Sequence, residues 1–189
     1  MEWMKKTLFV MFIVFCMAGC STVRTPSQEE LRTVEQPSPA NAAWVDSLAP
    51  LAVAWYSEQE RVLLARGRPL DSEEEKMARQ MGVQHPERVR VIVAQQFPFP
   101  DNPVLAEELR TLGFGSQREG GRSLGYAILI KPKYEKQRWL LAHELVHTAQ
   151  RERLGTEPFI RRYLLELRIL GHARAPLELE AAGLMKRIE

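Results

Sequence analysis

Residues 139–150 read Trp139-Leu140-Leu141-Ala142-His143-Glu144-Leu145-Val146-His147-Thr148-Ala149-Gln150, and this run decides how the rest of the chain must be arranged. Its apolar residues recur at helical spacing, so a helix is expected from Gln137 to about Leu154, closed by Gly155. On a helix, positions i and i+4 stand one turn apart on one face, which lets His143 and His147 reach one metal ion. Glu144, beside the first histidine, can accept a proton from a water polarised by such an ion. The apolar flanks allow the helix to be buried while its polar side lines a cleft.

Outward from this helix the chain is punctuated by glycine and proline. Downstream, helices are expected over 158–170, ended by Gly171, and from Leu177 to about Arg187, with Pro176 at the first helical position. Upstream, Tyr126 to Ile130 reads as a strand stopped by Pro132, and Gly113 to Gly125 as a glycine-rich loop. Val104 to Leu112 reads as a helix, and Arg88 to Ala94 as a β-branched strand. Before these come a helix from Trp44 to Arg66 and a short one that Asp71 caps. The expected fold class is α+β, mostly helical with a small sheet, the motif helix being followed by two C-terminal helices.

The chain has 189 residues and a formal charge of +2, which suits one domain and leaves no electrostatic footprint for nucleic acid. Its first residues stand apart. Lys5 and Lys6 precede an apolar run from Leu8 to Met17, then Ala18-Gly19-Cys20. The run is short for a membrane-spanning helix and fits a secretory signal. Small residues before a cysteine resemble the lipobox of bacterial lipoproteins. That resemblance implies a signal peptide over 1–19, lipid on Cys20 and a cell-envelope location. Ser21 in the next position implies the periplasmic face of the outer membrane. Residues 20–41, with Pro26, Pro37 and Pro39, are expected to form a flexible tether, and 42–189 the folded domain. Cys16 and Cys20 are the only cysteines, so any metal is left to histidine and carboxylate.

A catalytic zinc needs a third protein ligand and an open position. Glu178, Glu180, His172, Glu166 and Glu152 are the candidates. Glu152 is expected to point away along the motif helix, and Glu166 to belong to a solvated face. The segment Leu177-Glu178-Leu179-Glu180-Ala181 can return beside the motif helix across one intervening helix, about thirty residues on.

With that segment, His143-Glu144-Leu145-Val146-His147-Thr148-Ala149-Gln150 resembles the gluzincin zinc metallopeptidases, a zincin-like fold. The third ligand of that clan is a glutamate on a downstream helix, often in a Glu-x-x-Ala-Asp pattern. Aligned on Ala181, the resemblance places it at Glu178, with Glu180 as runner-up. The clan's aspartate, which orients the first histidine, is replaced here by Ala182, so the partner of His143 is left open. The resemblance also implies that Tyr126–Ile130 is the strand edge to which an extended substrate peptide adds. Tyr163, His172 and Arg168 are candidate transition-state stabilisers.

The expected activity is peptide-bond hydrolysis by a zinc-activated water. Glu144 is the base, His143, His147 and Glu178 hold Zn2+, and the substrates are peptides or proteins of the cell envelope. The alternative is a non-catalytic zinc-binding lipoprotein that uses the same scaffold to bind a partner.

Overall fold

Capping side chains mark where the chain enters its first four α-helices. The computed structural model describes residues 24–188; the signal-peptide and Cys20 readings lie outside the described residues. Ser27 forms a capping box with Glu30 at the start of α1 (Gln28–Glu35), and Ser38 caps α2 (Pro39–Leu64). β1 (Arg68–Pro69) leads to α3 (Ser72–Gln80), where Asp71 accepts from the amides of Glu73 and Glu74. β2 (Arg90–Val93) is followed by α4 (Pro103–Thr111), capped by Asn102. A hairpin of β3 (Gly121–Leu124) and β4 (Ala127–Ile130) precedes α5 (Arg138–Leu154), α6 (Thr156–Leu170) and α7 (Pro176–Leu184). Helix accounts for 64% of the described residues beside one small mixed sheet, which makes the fold α+β.

The sheet order is β1-β2-β4-β3. β2 and β4 are parallel, with Val91 opposite Ile128, while β1–β2 and β3–β4 are antiparallel. β4 is buried throughout, and its alternation divides the core. Ile128 and Ile130 join Val91, Met77, Leu141 and Leu145 on one side. Ala127 and Leu129 join Leu48, Leu105, Phe159 and Leu164 on the other. Each large aliphatic side chain removed from water in this way contributes roughly 1.5–3 kcal/mol. The sheet is therefore clamped between α3 and α5 on one face and α2, α4 and α6 on the other.

Three expectations change. Residues 28–35, read as tether, form α1, and Arg174 fastens it to the domain by hydrogen bonds to Glu30 Oε1 (2.6 Å) and the Arg24 carbonyl (3.2 Å). The folded domain accordingly begins before residue 42. The glycine-rich stretch 113–125 is not all loop, because its last part is β3. Finally, β4 is an interior strand with partners on both sides, so it cannot be the edge that receives a peptide. β3 has that place. Its first residues are anchored by the buried Arg122, whose guanidinium donates to Glu119 (2.6 and 2.9 Å) and to the Pro98 carbonyl (2.7 Å).

Candidate metal centre

α5 carries His143 and His147 one turn apart and buries its middle, Leu140 to Gln150 with His143 half-buried, between the sheet and α7. Gly155 and Gly171, both at positive φ (85° and 74°), end α5 and α6 in conformations that side chains rarely adopt. A short helical turn at His172–Arg174 then hands the chain to Pro176, the first residue of α7. The first turn of α7 is held from two sides. Glu166, fully buried on α6, accepts from the Leu177 amide at 2.8 Å and from Arg162 at 2.7 Å. Gln150 on α5 donates to the Leu177 carbonyl at 2.9 Å. Glu166 is thus a buried cap and not the solvated residue expected from its helix position.

This places Glu178 against both histidines. His143 Nε2 and His147 Nε2 are 3.1 Å apart, and they lie 3.2 Å and 3.3 Å from the two oxygens of Glu178. Each imidazole nitrogen thus faces its own oxygen of the one carboxylate, and the three residues form a triangle around a single point. Ligand bonds of 2.0–2.1 Å to a tetrahedral zinc imply donor separations of about 3.3–3.4 Å, so the residues present fit such an ion. Glu180 takes no part in the triangle: it accepts from Arg153 (3.0 Å) and Gln150 (3.1 Å). Glu152 lies farther along α5, where it accepts from Tyr126 Oη at 2.8 Å and from the amides of Gln84 and His85.

The surrounding groups set the protonation of the site. Burial alone would raise the Glu178 carboxyl, but hydrogen bonds from His143 and His147 outweigh it and hold the group well below the usual carboxylate range. Burial would lower His147, yet the Glu178 carboxylate pushes it up to about 9. Glu144 is pushed up by burial, against the opposing pull of the two imidazoles. That direction suits a proton-accepting residue working near neutrality. Tyr163 donates to Glu178 Oε1 at 2.5 Å, and burial followed by that carboxylate keeps its hydroxyl protonated. His172 Nε2 lies 3.4 Å from Glu178 Oε2 with a mostly exposed ring. Arg168 is turned elsewhere, towards Asn41 and the Trp44 ring, and is not at the site.

A cleft of about 1030 Å³ runs over the triangle, and β3 forms one wall. Lys131 donates its amide to the Gly120 carbonyl at 2.9 Å, which fixes the phase of the hairpin. Arg122 and Leu124 then direct their backbone groups at β4, and Gly121 and Ser123 direct theirs at the open edge. Gly121 also lets the strand approach the motif helix. A Cβ there would stand 2.6 Å from Glu144 Oε1. Thr148, one residue beyond His147, ties the hairpin to α5 by donating to the Gly125 carbonyl at 2.9 Å. At the far side of the cleft, Trp55, Leu112, Phe114, Phe159 and Leu164 make an apolar end.

Gly121, Thr148 and Gln150 shape the site and were given no role by the sequence reading. Only Gln150 carried a usable signal, since position i+3 from His147 shares its helix face. Ala182 lines the cleft without offering a polar group, and no described residue hydrogen-bonds His143 Nδ1. Comparison with protein families, curated proteins and solved structures gives no match to this chain.

Proposed function

We propose that this protein is a zinc-dependent metallopeptidase with a gluzincin-like, zincin-type site, acting on peptides or proteins in the bacterial cell envelope and held there by lipid on Cys20. The observation that carries the reading is the convergence of His143, His147 and Glu178 on one point, each imidazole nitrogen within 3.3 Å of a Glu178 oxygen, with the buried Glu144 carboxylate next to them. Zinc held by these three residues would supply Lewis-acid polarisation and an acidified water. Glu144, its affinity for protons raised by burial, takes the proton from the attacking water and returns it to the leaving amine. The open backbone groups of Gly121 and Ser123 hold an extended substrate as an added antiparallel strand, which orients the scissile carbonyl towards the triangle. Tyr163, with its proton retained, becomes a donor for charge developing on that carbonyl once its single O–H turns from Glu178 Oε1 to the substrate.

The test is Glu144→Gln. It should bind one zinc per chain as the parent does and lose cleavage of an unfolded-protein or peptide-library substrate by about 10²–10⁴-fold. Equal cleavage by the two proteins refutes the mechanism. One observation favours a second reading, a zinc-binding envelope lipoprotein that recruits a partner without hydrolysis: Ala182 leaves His143 without an orienting carboxylate. Full zinc loading with no cleavage by the parent, together with capture of one envelope partner, decides for it.

A further inference from the structure

We infer that Gln150 is the positioning residue of the metal centre, fixing the tautomer of His147 and the spacing between the second and third ligands. The inference rests on His143, His147 and Glu178 holding a metal, and it does not depend on peptide being the substrate. Gln150 is fully buried, and its amide makes three contacts. Two partners, the Leu177 carbonyl at 2.9 Å and the Glu180 carboxylate at 3.1 Å, can only accept. The NH2 of Gln150 must therefore face them. Its oxygen must then face His147 Nδ1, which lies 2.8 Å away. An oxygen there accepts, so Nδ1 of His147 keeps its proton, and Nε2 is the nitrogen left to give up its own and turn a lone pair to a metal. The orientation of one buried amide thus decides which nitrogen of the histidine is a ligand.

The same side chain spans two elements. Leu177 directly precedes Glu178, so its hydrogen bond to Gln150 holds the third ligand at a set distance from the helix that carries the first two. Glu180 extends the chain outwards, because Arg153 grips its carboxylate at 3.0 Å. Arg153, Glu180, Gln150 and His147 form one relay that ends on the metal position. Groups hydrogen-bonded to ligands in this way orient them and raise their basicity. Gln150 does for the second histidine what the resemblance assigns to an aspartate for the first.

Three measurements on the full chain test this. In the zinc-loaded parent, long-range 1H–15N NMR should show His147 protonated on Nδ1; protonation on Nε2 overturns the proposal. Gln150→Leu should weaken zinc by about 10–100-fold in competition with a chromogenic chelator. It should also alter the visible spectrum of the cobalt-substituted protein, which reports ligand geometry. Affinity within twofold of the parent overturns the proposal. Glu180→Ala, a change at a partly exposed residue, should weaken zinc several-fold in the parent and add nothing in the Gln150→Leu background. Additive losses from these two substitutions show that Glu180 does not act through Gln150 and overturn the relay. The Glu180→Ala and NMR results stand even where Gln150→Leu fails to fold.

Discussion

Replacing Gly121 with alanine places a methyl group 2.6 Å from Glu144 Oε1 and 3.0 Å from its Cδ and Cγ. Ordinary contact begins near 3.4 Å, so the carboxylate has to retreat by roughly 0.8 Å or the strand has to move away from α5. Glu144 is 5% exposed, between the sheet and the metal ligands, and a packed site of this kind yields little. A displacement near 1 Å at a reacting group costs up to about 10²-fold in rate, so turnover should fall by roughly 10–100-fold, or about 1.4–2.7 kcal/mol in the barrier. The three atoms nearest to the added methyl group all belong to Glu144 and none to His143, His147 or Glu178, so zinc affinity should stay within about twofold of the parent. The assay pairs chelator competition with cleavage of a quenched-fluorescence peptide library, and far-UV circular dichroism checks the fold. Turnover equal to the parent's would refute the reasoning that Gly121 is there to admit Glu144. Zinc loss in step with turnover would show instead that the substitution acts through α5.

Zinc at about a thousand times its Kd should stabilise the protein by about 4 kcal/mol, which raises Tm by roughly 8–16 °C for a chain of this size; no rise, or an equal rise in His143→Ala, rules out the three-residue site. Because His147 is pushed up to about 9 in the metal-free protein, zinc competes with a proton below that pH, and its apparent affinity should weaken by about tenfold for each unit of pH lowered; titrations at pH 6.5, 7.5 and 8.5 that give one Kd contradict this. Glu166→Ala leaves the buried Leu177 amide without its acceptor, so thermal unfolding should show a loss of about 1–3 kcal/mol, and an unchanged Tm means that the cap is dispensable.

The motif helix was legible because its information is local: apolar spacing, two histidines at i and i+4, and a closing glycine all lie within one run. α7 was legible from Pro176 and its glutamates, and Glu178 was separable from Glu180 only through the resemblance of the segment around Ala181. β3 was not legible. Gly121 and Gly125 are loop residues by composition, and Arg122 gives no hydrophobic alternation until its charge is matched by Glu119. Strand order was equally hidden, since the interior place of β4 follows from the parallel pairing with β2, a contact between distant segments. Glu166 read as a surface residue because nothing in its own helix tells that the Leu177 amide arrives there. α1 read as tether because its sequence is polar; what holds it is Arg174, far along the chain.

His143, His147, Gln150, Tyr163 and Glu178 all lie on three consecutive helices joined by short turns at Gly155 and Gly171. Contacts of that kind close small loops at low entropic cost. The parallel pairing of β2 with β4 must instead close a loop that contains α4 and β3. Contact order favours one sequence of assembly: the three helices that could hold an ion can come together first, and the mixed sheet is completed later. These helices are also the last part of the chain to be made, so an ion taken up as they meet would act as a template for the C-terminal half against which the sheet then packs.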